Sequence, residues 1–252
     1  MVNAAQLEQL SHRRKLRRAE QQIREIESAQ QAWSAKAVQV ERRDVGGLIE
    51  LWVSASEDPP QEIGLLLGEA ADSLREVLDN LTYSLAEHAT PGMTQTQQRQ
   101  VAFPLSKDRV PETDSRVASL APDARDAMLN LLQAEMMPTV HDSLWGLSEL
   151  QNRDKHRAIH VVGAVGGAGR VGVGGNGYVG LVQTFNATDL GPEARLILRA
   201  GVSSGIIVNT EPGGYVCLAD DSTVVPGMPV VYWLRSVEQD VWRVVLTMEQ
   251  YL

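Results

Sequence analysis

A chain of 252 residues with 43% apolar side chains is long enough for one large domain or two modest ones and can bury a substantial core. Its formal charge of −9 and pI near 5.1 exclude a generally basic nucleic-acid or membrane-surface protein, because the mean field would repel phosphate. A single cysteine, Cys217, allows neither an intramolecular disulfide nor a cysteine-built zinc cluster, and its neighbours Tyr215, Val216 and Leu218 predict a small core residue.

Residues 1–30 are charged and glutamine-rich with no continuous apolar run, which argues against a secretory signal. No apolar stretch approaches the ~20 residues needed to span a bilayer. The expected setting is soluble and cytoplasmic, with no membrane partner.

From Ala4 to Arg43 there is neither proline nor glycine, and Ala, Gln, Glu, Arg and Leu dominate, so one long helix is predicted. Leu16, Ala19, Ile23, Ile26, Trp33, Ala37 and Val40 repeat at three-four spacing, broken at Gln30. This heptad-like seam suits a coiled coil, self-association of the helix, or a helix laid along its own domain. Arg13, Arg14, Lys15, Arg17 and Arg18 form a basic run that is a candidate polyanion-binding face, or else a solvated helix face offset by Glu20, Glu25 and Glu27.

Gly46-Gly47 ends that helix, and residues 48–53 read as a strand. A helix is predicted from Glu62 to His88, with Ile63, Leu67, Ala70, Leu74, Leu78, Leu81 and Leu85 on one face. Asp72, Arg75 and Asp79 lie on the flank of that face, spaced as an ion-pair ladder. Residues 89–121 are predicted as a long loop with Phe103-Pro104-Leu105 as an apolar anchor. A third helix opens at Pro122 and runs to about Met137, and a fourth starts near Asp142.

The fourth helix carries the densest chemistry: Asn152-Arg153-Asp154-Lys155-His156-Arg157-Ala158-Ile159-His160. On a helical wheel Leu144, Leu147, Leu150, Ala158, Val161, Val162 and Val165 share an apolar stripe, and Asp154 falls in its middle. A carboxylate there needs a cation, and Arg75 or Lys155 is the candidate, making Asp154, Arg75 and Asp79 a structural polar centre. Arg153, His156 and His160 gather on the opposite side, Arg153 and His160 two turns, or about 10 Å, apart. These cations would also complement the negative end of the helix dipole. His156 and His160 stand at i and i+4, but no third metal ligand is evident, so no metal and no cofactor are expected.

Nine of the residues from Gly163 to Gly180 are glycine. The segment Gly172-Val173-Gly174-Gly175-Asn176-Gly177 has the letters of a dinucleotide fingerprint without the strand before and helix after that the motif requires, so a flexible linker or hairpin is expected. Residues 195–199, 205–208, 215–218, 230–235 and 242–248 read as short strands, with turns at Gly213-Gly214, Pro226-Gly227 and Glu238–Asp240, and the last two strands as a hairpin carrying Trp233 and Trp242.

The predicted fold class is α+β, a helical-bundle-like N-terminal part with a long first helix followed by a small antiparallel β domain. The expected boundaries are 1–44 for the first helix, 45–165 for the helical domain with one edge strand, 166–180 for the linker or hairpin and 181–252 for the β domain.

Leu74-Arg75, Leu78-Asp79 and Leu81, then Phe103-Pro104, then Asn152 with Asp154-Lys155-His156-Arg157, resemble an uncharacterised bacterial family with an LRxxLDxL helix and an NxDKHR helix. The resemblance covers roughly residues 45–165 and implies pairing of the two helices around a polar centre. Arg153, followed by Asp154 and then by His160, is also similar to the Arg-x4–6-His signature of HEPN domains. That resemblance implies a helical, often dimeric, metal-independent endoribonuclease with RNA as partner, Arg153 stabilising phosphate and His160, with His156 nearby, moving protons. The alternative is a non-enzymatic interaction protein that oligomerises through its N-terminal helix and binds a partner with its β domain.

Overall fold

A computed structural model of the protein describes residues 10–106, 110–111, 113–133, 144–151, 159, 161–173, 178–183, 192–201, 206–218 and 228–252. The fold is α+β: long helices with two small antiparallel sheets. Two compact units are built from discontinuous pieces, one from Met1–Arg24, Leu66–Ala158 and Trp233–Leu252, the other from Glu25–Leu65 and Ile159–Tyr232.

Helix α1 spans Ser11–Ala37. Its three-four seam is spent inside the chain: Leu16, Ala19, Ile23, Ile26, Trp33 and Ala37 are all buried, so no apolar stripe of α1 is left exposed for a coiled-coil partner. Gln30, which interrupts the seam, points its amide oxygen at the backbone N–H of Val216, 3.1 Å away. The helix ends at Ala37, not Arg43, where Val38-Gln39-Val40 alternates at the period of a strand and the β-branched valines favour extended backbone. This strand β1, Val38–Val45, turns through Gly46 and Gly47 into β2, Leu48–Ala55, with Val45 opposite Leu48. Both glycines have positive φ, 57° and 80°, the two-residue turn whose twist matches a hairpin.

Helix α2, Glu62–Ala89, is the central element of the first unit's core, and every apolar position predicted for it is buried. The segment after it is not bare loop. Helix α3, Gln95–Gln100, starts at a capping box in which Thr94 and Gln97 exchange side chain and backbone bonds, and a 3-10 turn covers Ser115–Val117. Helix α4 covers Pro122–Gln133, and residues 144–151 are helical with Leu144, Leu147 and Leu150 buried.

The fourth helix does not continue through Val165. Strand β3 occupies Val161–Val173, since β-branched residues followed by glycines have little to gain from a helix and pair readily across a ladder. It makes a hairpin with β4, Tyr178–Gln183, so the glycine-rich stretch is largely sheet. On its other side β3 pairs with β6, Ile206–Leu218. The expected turn at Gly213-Gly214 is instead ladder, with Gly213 opposite Gly166 and Gly214 opposite Val165. Pro212 is accommodated because β6 lies at the edge of the order β4-β3-β6. Strand β5, Arg195–Gly201, completes the other sheet, β1-β2-β5.

The expected hairpin of 230–235 and 242–248 is overturned: Val230–Met248 is one helix, α5. Its buried residues Val230, Trp233, Leu234, Val237, Val241, Val244, Val245 and Met248 fall at helical spacing. Burial of that stripe outweighs the strand preference of its valines. Residues 238–240, read as a turn, sit on the helix, where Arg235 pairs with Glu238 and Arg243 with Asp240 at i,i+3. The region 181–252 is therefore β only in part.

Candidate functional site

Arg153, Asp154, Lys155, His156, Arg157 and His160 lie outside the described residues, as does the proposed pairing of Asp154 with Arg75. Their flanks are described separately. Ahead of them the helical residues 144–151 are anchored by three buried leucines. Behind them, the Ile159 carbonyl lies so near Gly64 that a Cβ on residue 64 would come within 2.6 Å of its oxygen. Gly64 thus serves a close approach of backbone to helix.

Arg75 and Asp79 do come together, and what they hold is Phe103. Arg75 Nε donates to Asp79 Oδ2 at 3.0 Å, and Arg75 Nη2 donates to the Phe103 carbonyl at 3.0 Å. Asp79 Oδ1 accepts the Phe103 N–H at 2.9 Å. One i,i+4 pair on α2 therefore satisfies both backbone groups of a residue whose ring is fully buried. Arg116 repeats the device one step along, binding Asp114 and donating to the Leu105 carbonyl at 2.9 Å. Its hydrogen bond holds the Asp114 carboxyl below its ordinary range, against burial. These charges hold the segment after α3 in place. Sequence patterning finds the anchor at Phe103 and the pair on α2, but not that the second grips the backbone of the first.

The basic run is mostly committed to carboxylates of the first unit. Arg13 donates to Glu249 through Nε at 2.7 Å and Nη2 at 2.5 Å, and its guanidinium lies 5.3 Å from the centre of the Trp242 ring. Lys15 pairs with Glu76, and Arg18 approaches Glu69 at 3.8 Å. Arg14 and Arg17 are exposed. The bond to Glu249 raises the Arg13 pKa further, so its charge is constant, and its Nε and Nη2 both donate to that carboxylate.

Beside this pair lies a residue that sequence reading did not single out. His12 is fully buried, with Nε2 at 2.9 Å from Glu249 Oε1. The two residues stand 237 apart in sequence, and no local pattern announces such a contact. A second buried polar group joins α1 to α2: Ser73 donates to the Gln22 amide oxygen at 2.9 Å, and Gln22 donates to Glu69 at 3.1 Å. Cys217 is buried as expected, and burial pushes its thiol up to about 12.

Among the described residues no three His, Cys, Asp or Glu side chains converge as metal ligands, and no helix is long and apolar enough to cross a membrane. Compared with protein-family profiles, curated proteins and solved structures, the chain matches none of them. The class that can be stated is therefore the architectural one, an α+β protein with two antiparallel three-stranded sheets.

Proposed function

We propose that the protein binds and cleaves RNA without a metal ion, as HEPN-like ribonucleases do. The support is the order of side chains: Arg153, acidic Asp154, and His160 after six intervening residues, following a helix that buries Leu144, Leu147 and Leu150. In this reading the 2′-hydroxyl of RNA attacks the adjacent phosphate as His160 takes its proton, Arg153 neutralises the charge that builds on the phosphoryl oxygens, and the P–O5′ bond breaks to leave a 2′,3′-cyclic phosphate. His156, the second proton carrier, gives its proton to the departing 5′-oxygen. Of the basic run, Arg13, Lys15 and Arg18 already face carboxylates, so this reading does not call on them to hold RNA. The test is incubation of single-stranded RNA with purified protein in EDTA beside Arg153→Ala and His160→Ala. Loss of cleavage by about 100-fold or more in each variant is expected of a proton carrier and a phosphate stabiliser. Cleavage equal in all three proteins sinks the reading.

A second reading, a non-enzymatic protein that binds a partner through its β region, is favoured by strand β1. It is the edge of the order β1-β2-β5, and most of its side chains are exposed, Val40 and Val45 among them. The Ala37 carbonyl accepts from Ser56, so odd-numbered residues face β2 and the backbone groups of Val38, Val40, Arg42 and Asp44 face away from it. A second copy in the two fullest antiparallel registers sets Glu41 opposite Glu41 or Arg42 opposite Arg42, like charges at the centre, although the latter register also pairs Glu41 with Arg43. The fitting partner is an extended segment of another protein. Val40→Pro removes an outward N–H and leaves the β1–β2 ladder intact. A partner captured equally by wild type and Val40→Pro removes this reading.

A further inference from the structure

The burial of His12 leaves one of its nitrogens unaccounted for. Nε2 faces Glu249 Oε1, while Nδ1 is buried with no hydrogen-bond partner among the described residues. An ionised carboxylate only accepts, so Nε2 carries the proton and Nδ1 is a bare lone pair. The same carboxylate receives Arg13, whose guanidinium lies over Trp242 of α5, and the Trp242 N–H donates to Glu20 at 3.0 Å. The first turns of α1 thus hold both α5 and the 3-10 turn Glu249–Tyr251.

We propose that His12, Arg13 and Glu249 form an acid-released latch, in which protonation of His12 frees the end of α5 and the turn Glu249–Tyr251 from the start of α1. An imidazolium carries N–H on both nitrogens, and in the closed state the Nδ1–H has no acceptor among the described residues. The charged groups that act on His12 are Glu249, from the turn, which favours the cation, and Arg13, from its own helix, which opposes it. Burial is the largest single influence and, with Arg13, holds the imidazole below its ordinary value of 6.5. Burial also works against the Glu249 carboxylate, but Arg13 and His12 keep its carboxyl below its ordinary 4.5.

Both groups bind fewer protons closed than released, so acid favours release. The windows differ: His12 acts as pH falls below 6.5, and Glu249 contributes only near and below 4.5. In the His12 window the closed-to-released ratio falls by up to about tenfold per pH unit, until the folded-state value is reached.

Amide hydrogen exchange at pH 7.5 and 5.5, corrected for intrinsic rates, reads the latch directly. Protection at residues 244–251 is expected to fall by more than about threefold in the wild type while that of Leu74–Leu81 in α2 holds. In His12→Gln, which can still donate to Glu249 but does not titrate in this range, the ratio at 244–251 is expected to stay near one. An unchanged ratio in the wild type, an equal fall in His12→Gln, or a uniform fall across both segments overturns the proposal. A measurement without a variant stands beside it: the ring nitrogens of His12, followed by NMR, should show the neutral Nε2–H form at pH 7.5, and an imidazolium there refutes the latch.

Discussion

Asp79→Ala tests whether the Arg75–Asp79 pair matters as an ion pair or as a backbone clamp. The ion pair alone is worth little, because Asp79 is 39% exposed at its side chain and an i,i+4 pair of that kind contributes about 0.3–0.5 kcal/mol. The bond from Phe103 N–H is another matter. Its donor belongs to a fully buried residue, and a buried donor left without an acceptor costs about 1–3 kcal/mol. Asp79→Ala should therefore destabilise by about 2–3 kcal/mol, or lower Tm by roughly 5–10 °C. Asp79→Asn discharges the pair but keeps an oxygen for the Phe103 N–H, and should cost about 1 kcal/mol or less. Arg75→Ala and Asp79→Ala should be non-additive in a double-mutant cycle, since both side chains hold Phe103. Urea denaturation of the set decides. If Asn costs as much as Ala, or if Ala costs under about 0.5 kcal/mol, the clamp is not what holds the segment.

Three further outcomes follow from close contacts and turns. Gly64→Ala should be destabilising although alanine suits a helix by about 1 kcal/mol, because its Cβ meets the Ile159 carbonyl oxygen and overpacking of this kind costs about 1–3 kcal/mol; a thermal melt above that of the wild type would contradict it. Gly47→Val, placed at φ 80°, should cost about 1–2 kcal/mol, whereas Gly47→Asn should cost clearly less, since asparagine visits that region; equal melting temperatures would refute the turn assignment. Cys217, buried and with its thiol pushed up to about 12, should resist a thiol reagent at pH 8 in the native protein and react fully in denaturant; rapid native labelling would show the site to be open.

The legible parts of the chain were those where one period dominates. The face of α2 could be listed residue by residue from the spacing of its leucines, and so could the buried seam of α1 up to Ala37. The strand after Gly46-Gly47 was legible because residues 48–53 are rich in strand formers, whereas the charged residues of the strand before it read as a continuation of the helix. Where periods compete, local reading failed. Residues 230–248 carry the valines and aromatics of a strand at the spacing of a helix, and only packing of the whole stripe decides between them. Val161 and Val165 fitted a helical wheel, yet their ladder partners are Leu218 and Gly214, some fifty residues on, and a pairing that distant leaves no mark on local sequence.

The candidate site divides along the same line. Sequence alone determined where charge and imidazoles concentrate, Arg153, His156 and His160 in one short stretch and Arg13–Arg18 in another. Only the tertiary structure decided what that charge is used for. Arg13 and Lys15 face Glu249 and Glu76, and Arg75 and Asp79 grip the backbone of Phe103. Charge is a property of each residue. Whether it is spent inside the molecule depends on partners that folding brings from far along the chain.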